Sequence, residues 1–245
     1  MLQSKDVALQ EATDPPRVAL AALDLFAGSL AQKVYGSLKQ AILSLAFQPG
    51  VILRKAEICA TLGVSRSPVA EAVARLAAEA LVDVVPQAGT FVARFSMVEI
   101  REGAFLREAL ETAAVEQVAV SMTEDQLIQL RRNLRLQEVL LADGDIAGFY
   151  QTDAQMHELI LSFTGFRRLA VLADTAWVHV NRARQLILPQ PGRVQATLAE
   201  HQAILAALEA RDPAAARTAT QIHLRQLLTF LEPLATQRPD LFSRG

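Results

Sequence analysis

Four side chains able to ligate a metal stand where helical periodicity would bury them. Asp153 and His157 are four residues apart, so they share one helix face with Phe149 and Ile160. His201 interrupts the apolar stripe Leu198, Ile204, Leu205 and Leu208, and His223 interrupts Ala219, Leu227 and Phe230. Three helices thus aim imidazole or carboxylate at an apolar interior, where unpaired polar groups are costly. Three neutral imidazoles and a carboxylate suit a divalent transition metal such as zinc, nickel or manganese, with positions left for water or a ligand. Spacing alone equally allows core histidines bonded to one another or to water. His157, His179, His201 and His223 are spaced 22 apart, but the residues around them do not repeat.

Arg107 precedes Glu111 by four, which fits either an intrahelical ion pair or a guanidinium facing the same cavity as the histidines. Asn181, Arg182 and Arg184 are further candidates for that cavity, although the sequence does not orient them.

The elements that must position these residues come in two groups. Ser29 with Gln32 forms a capping-box pattern, and Leu30, Val34, Leu38, Ile42 and Leu45 then recur at helical spacing until Pro49-Gly50. Lys55 to Leu62 makes a short second helix closed by Gly63. Ser65 caps a third helix reaching about Ala80, with Pro68 in its first turn, where a missing N–H costs nothing. Leu81 to Val85 and Thr90 to Arg94 are β-branched runs around Pro86-Gln87-Ala88-Gly89, a hairpin signal. Three helices and a hairpin make a winged helix.

From Met97 onward only helical patterns follow, predicted at 97 to 121, 124 to 142, 145 to 163, 166 to 187, 193 to 210 and 213 to 232, with a capping-box pattern at Thr123 to Gln126 and Asp212-Pro213 as N-cap and first helical residue. The expected fold is mostly α: an N-terminal winged helix-turn-helix and a C-terminal antiparallel helical bundle. The domain boundaries read as a flexible leader at 1 to 28, the winged helix at 29 to 95, the bundle at 96 to 235 and a tail at 236 to 245.

The chain of 245 residues is 51% hydrophobic and 20% charged, a balance normal for globular proteins. Its net charge of −2 conceals an asymmetry, because residues 29 to 95 carry seven lysines and arginines against four acids. That mildly basic segment permits nucleic-acid binding. Cys59, the lone cysteine, can form no internal disulfide, which points to the reducing cytoplasm, and no apolar run approaches a membrane span.

In a helix-turn-helix the second helix of the motif enters the major groove with its N-terminal residues on bases and phosphates. Here Val64, Val69, Val73 and Leu76 face inward, which turns Ser65, Arg66, Ser67, Ala70 and Ala74 outward. Arg66 is placed to donate to guanine or phosphate oxygens, and Gly89 and Thr90 at the wing to reach the adjacent backbone. This region resembles the GntR family of bacterial regulators, in Pro49-Gly50, in Leu62-Gly63-Val64-Ser65-Arg66-Ser67-Pro68-Val69, and in Gly89-Thr90-Phe91-Val92. The resemblance implies a further DNA contact near Lys55. It also implies an arginine where this chain has Ala70, so one charged contact per half-site is missing.

Residues from about 100 to 232 resemble the FCD domain of the FadR subfamily, through Arg107 to Glu111, Asp153 to His157, Glu200-His201 and His223-Leu224. In metal-bearing members the aspartate and three histidines are the ligands, which implies that role for Asp153, His157, His201 and His223. His179 matches no ligand position and is expected in the core or behind a ligand. An arginine at the place of Arg107 clamps organic acids in relatives, so a small carboxylate effector is implied, with Asn181 and Arg182 as further candidates to bind it. The expected function is a homodimeric repressor of a two-fold operator on double-stranded DNA, controlled by that effector. Two rivals share the cluster: a metal-dependent enzyme, for which no HExxH, GxSxG or phosphate-loop pattern exists, and a regulator whose metal is purely structural.

Overall fold

A computed structural model describes residues 20 to 243. Helix α1 (Leu30–Leu43) begins at the expected capping box, with Ser29 Oγ accepting from the Gln32 amide and the Gln32 side chain accepting from the Ser29 amide. Helix α2 (Lys55–Leu62) ends on Gly63, whose φ of 65° is the left-handed cap that glycine adopts freely. Helix α3 (Arg66–Ala78) follows, and its buried face Val69, Ala72, Val73 and Leu76 packs on Val34, Leu38 and Ile42 of α1. Strands β1 (Val82–Val85) and β2 (Gly89–Val92) pair antiparallel with Val82 opposite Val92 and Val85 opposite Gly89. Gly50 and Leu53 donate to Val92 and Thr90 carbonyls, which adds a short third edge to the wing.

The helical part comprises α4 (Met97–Ser121), α5 (Glu124–Ala142), α6 (Ile146–Phe163), α7 (Arg167–Ala176), α8 (Val178–Ile187), α9 (Arg193–Glu209) and α10 (Pro213–Gln237). The second capping box, Thr123 with Gln126, forms as the sequence indicates, and Asp212 caps α10 ahead of Pro213. One apolar core joins α4, α5, α6, α9 and α10 through Val115, Leu130, Met156, Ile204, Leu208 and Ala216. A second gathers Phe95, Ile100, Trp177, Val180, Leu227 and Leu231.

Three expectations are corrected. The single helix at 166 to 187 is broken at Trp177, whose backbone (φ −107°, ψ 7°) leaves the helical region while its ring is buried. The last helix continues through Pro233 to Gln237, because Leu234 and Ala235 still pack against the core. Packing begins before the expected start at residue 29, since Leu20 and Leu23 lie on the winged-helix core and Ser37 Oγ donates to the Ala21 carbonyl; at the other end Phe242 is buried against Phe95. The rest of the expected leader, residues 1 to 19, lies outside the described residues.

Candidate functional site

Asp153 and His157 from α6, His201 from α9 and His223 from α10 converge, each buried, with one ligand atom apiece all within 4.8 Å of one another. His223 Nε2 lies 3.2 Å from His157 Nε2 and 3.4 Å from His201 Nε2. Every imidazole is held from behind by an acceptor: His157 Nδ1 by Glu111 Oε2 at 2.6 Å, His201 Nδ1 by Gln137 Oε1 at 2.8 Å, and His223 Nδ1 by Glu200 Oε2 at 2.8 Å. The amide of Gln137 is oriented in turn, since its Nε2 donates to Asn133 Oδ1, and Asn133 Nδ2 donates to the Thr152 carbonyl.

These acceptors fix the tautomers. With each Nδ1 donating, each Nε2 keeps its lone pair, and three lone pairs then face one another with no proton between them. Protonation is not the remedy: burial, and after it the neighbouring imidazoles and guanidiniums, push His201 and His223 well below 6.5. His157 is lowered too, by burial, with Glu111 partly opposing. Among the described residues neither Asp153 carboxylate oxygen has a hydrogen bond; the Arg184 guanidinium is beside one oxygen and His201 Nε2 lies 3.4 Å from the other. A cation is the group this arrangement accommodates. Nitrogens bonded at about 2.0–2.1 Å to one tetrahedral ion stand about 3.3 Å apart, and the observed separations agree.

Two carboxylates behind the histidines are themselves neutralised. Arg107 Nε donates to Glu111 Oε1 at 2.6 Å, and Arg193 grips Glu200 with both terminal nitrogens, at 2.9 and 2.5 Å. Burial alone would raise the Glu111 carboxyl; Arg107 and His157 more than reverse this and hold it well below the usual carboxylate range. Beside the cluster is a cavity of about 20 Å³ lined by Arg107, Asp153, Arg184, Arg193, Thr197 and His223, among others. Arg107 therefore satisfies both sequence readings at once, as an ion pair and as a wall of the cavity.

The other cavity candidates divide. Arg184 lines it, with its guanidinium over the Tyr150 ring at 5.1 Å. Arg182 does not line it: it is fully buried over the Phe95 ring at 4.5 Å, and among the described residues its guanidinium has no hydrogen bond. Asn181 does not line the cavity either; its carbonyl accepts from Tyr150 at 2.6 Å. His179 is remote from the cluster, where its Nε2 meets the Glu79 carbonyl at the end of α3, 3.1 Å away. Sequence reasoning missed Gln137, Asn133 and Arg193; Arg193 and Glu200 are seven apart on α9, a spacing that shares one face.

At the winged helix, Ser65, Arg66 and Ser67 are exposed at the start of α3, and Ala70 is exposed one turn on. Ser65 is the N-cap residue but its hydroxyl makes no cap bond, which leaves it available to a phosphate. Lys55 is exposed at the first residue of α2. Gly89 opens β2 directly after the turn, with φ 128° and close to Ile52. Thr90 is corrected: it is 4% exposed, turned under the wing by the alternation of β2, and the exposed tip is Gln87-Ala88.

The family model for bacterial regulatory proteins of the gntR family matches residues 30–92, and that for the FCD domain matches residues 102–226. The chain belongs to the GntR family, with an FCD effector-binding domain. An HTH-type transcriptional regulator in an unstable DNA locus of Streptomyces ambofaciens is 32% identical over 210 residues, covering 86% of this chain and 88% of that protein. The HTH-type transcriptional repressor RspR of Escherichia coli K12 is 29% identical over 212 residues, 86% of this chain and 93% of its own. A solved GntR regulator from Rhodococcus sp. RHA1 superposes with a TM-score of 0.72 at 26% identity, over 83% of this chain and 99% of that one. The chain is thus a DNA-binding transcription regulator and not an enzyme. Among the described residues no helix is long and apolar enough to cross a membrane.

Proposed function

We propose that this GntR regulator is a homodimeric, cytoplasmic repressor whose operator affinity is set by a small organic acid bound beside a divalent metal. Residues 29 to 95 form its DNA-binding unit, with Ser65, Arg66 and Ser67 at the major groove and Lys55 and the Gln87–Gly89 wing tip on the backbone. Residues 96 to 235 form the sensing and dimerisation unit, in which Asp153, His157, His201 and His223 hold zinc, nickel or manganese. The observation that carries this reading is the convergence of three imidazole Nε2 atoms whose opposite nitrogens are all committed to acceptors. Bound there, the metal supplies a Lewis-acidic position for a carboxylate; the protein supplies guanidiniums and apolar walls.

Helix α8 is suited to carry the response to DNA. It sends Arg184 into the cavity, while Val178 joins the winged-helix core and His179 bonds to the end of α3. A ligand that moves α8 therefore has different contact energies in two head arrangements, which coupling requires. The test is operator binding by full-length protein with its metal content measured, titrated with organic acids before and after EDTA. Metal-dependent changes in DNA affinity support the proposal. A metal-bearing dimer whose DNA affinity ignores every acid leaves a purely structural ion, and a metal-free preparation that responds fully overturns the metal's part.

A further inference from the structure

The covalent joint between the winged helix and the bundle is the segment Ala93 to Ser96, between β2 and α4, and residues 239–243 are laid along it. After α10 ends at Gln237, a single 3₁₀ turn at Pro239–Leu241 brings Phe242 beside Phe95 as a parallel bridge. The Phe95 amide donates to the Leu241 carbonyl and the Ser243 amide to the Phe95 carbonyl, each at 2.9 Å. Arg94 Nε donates to the Asp240 carbonyl at 3.0 Å, and the rings of Phe95 and Phe242, both buried, have centroids 5.6 Å apart. What this closure covers is unfavourable. The Arg182 guanidinium is stacked on the Phe95 ring at 4.5 Å, 0% exposed, with no hydrogen bond among the described residues. The ring face offsets part of that cost and leaves the guanidinium's donors unmet. Burial pulls the Arg182 pKa down to about 10; the carboxylate that opposes this, Asp83, acts from an exposed place on β1 with no ion pair to Arg182 among the described residues. Beside the joint is a cleft of about 580 Å³, lined by Asp83, Ala93, Arg94, Ser96, Glu99 and Phe242 among others.

We infer that residues 239–243 are a releasable strap on this joint: closed, they fix the DNA-binding head to the bundle, and the stranded guanidinium of Arg182 beneath keeps that state close enough to an open one for the strap to let go. Burial of two phenylalanines favours closure, and an uncompensated charge opposes it with an effect of the same order. The backbone bonds weigh little in the balance, because water replaces them when the strap lifts. Opening hydrates Arg182, and the adjoining cleft admits that water. Release leaves Val178 and His179 of α8 among the contacts that still hold the head, and it frees Ala93 to Ser96 to act as a hinge. Helix α10 carries His223 as well as the strap, so the joint and the histidine cluster hang on one element. The inference itself needs neither metal nor effector.

Trypsin, which cuts after arginine, reads the joint directly: the Arg94–Phe95 bond lies under the strap and becomes a substrate when the strap lifts. Full-length protein is digested sparingly, and the products ending at Arg94 are followed by mass spectrometry against those ending at Arg131, within α5. In wild type, cleavage after Arg94 should be about tenfold or more faster than after Arg131, since a local opening suffices for the first. Equal rates would mean that the joint opens only when the whole protein unfolds, and the inference fails. Phe242→Ala should speed the Arg94 cut about tenfold and leave Arg131 alone; no acceleration overturns the strap. Arg182→Met, which keeps the length and removes the charge, should slow the Arg94 cut about tenfold. Equal or faster cleavage in a folded Arg182→Met would show that the guanidinium holds Phe95 in place instead of working against closure, and overturns the inference. If that variant does not fold, wild type and Phe242→Ala decide the outcome.

Discussion

Replacing Glu111 by glutamine tests whether the charges behind the cluster are mutually dependent. The side chains of Glu111 and Arg107 are 3% and 6% exposed and meet at 2.6 Å, while the other Glu111 oxygen accepts from His157 at 2.6 Å. Glutamine keeps the shape and can still present its carbonyl oxygen to His157. Its amide nitrogen then faces the Arg107 Nε, donor against donor, and the guanidinium is stranded in a buried site. Breaking a buried pair in this way costs about 3–5 kcal/mol, a large part of the roughly 5–15 kcal/mol that holds a domain folded. Removing the stranded partner as well, in Arg107→Met/Glu111→Gln, should recover at least half of the loss. Equilibrium urea unfolding of wild type, both single variants and the double variant, all in excess EDTA so that metal linkage does not enter, yields the coupling energy. A double variant destabilised by the full sum of the singles would show that the pair is not interdependent, and the electrostatic account of the site would fail with it.

Three further outcomes are expected. Arg66→Ala should weaken operator binding roughly tenfold to a hundredfold and flatten its salt dependence, and Ala70→Arg should strengthen both; fluorescence anisotropy across a salt series reads this, and unchanged slopes would remove both residues from the interface. EDTA should lower the melting temperature, since an ion present at 100 times its dissociation constant contributes about 2.7 kcal/mol; identical melting with and without chelator would argue that no ion bridges α6, α9 and α10. The EDTA-treated protein should also lose stability as pH falls below about 6.5, because His201 and His223 are held neutral in the fold but take up protons when unfolded. The unfolded state binds more protons, so acid favours it, by about 1 kcal/mol per histidine for each pH unit below 6.5; a flat urea midpoint between pH 7.5 and 5.5 would contradict this.

Helix starts were legible wherever a local chemical signal marks them. Ser29 with Gln32, Thr123 with Gln126, and Asp212 before Pro213 each cap the helix they were expected to cap. Long-range packing was not legible. Nothing near Phe242 shows that it will be buried on Phe95, 147 positions earlier in the numbering, and Pro233 is a local stop signal that core contacts of Leu234 and Ala235 override. The four cluster residues stood out because a polar group inside an apolar stripe is unusual. Gln137 and Asn133 did not, since amides on a polar-rich helix look like surface until the histidine they orient is placed beside them.

Helix α8 shows where such reading stops and what it still constrains. Arg182 and Arg184 are two residues apart, and two steps along an α-helix turn the side chain through about 200°. They therefore cannot both line one cavity, whichever way the helix faces. Which of them does so depends on its rotation about its own axis, and the break at Trp177 severs that rotation from the periodicity of α7. The structure resolves the choice through companions at three and four residues: Val178 and His179 lie on the side of Arg182 and meet the winged helix, so Arg182 must follow them and Arg184 must turn to Asp153. One short helix thus places one buried guanidinium at each of two sites, Arg184 at the cavity and Arg182 over Phe95.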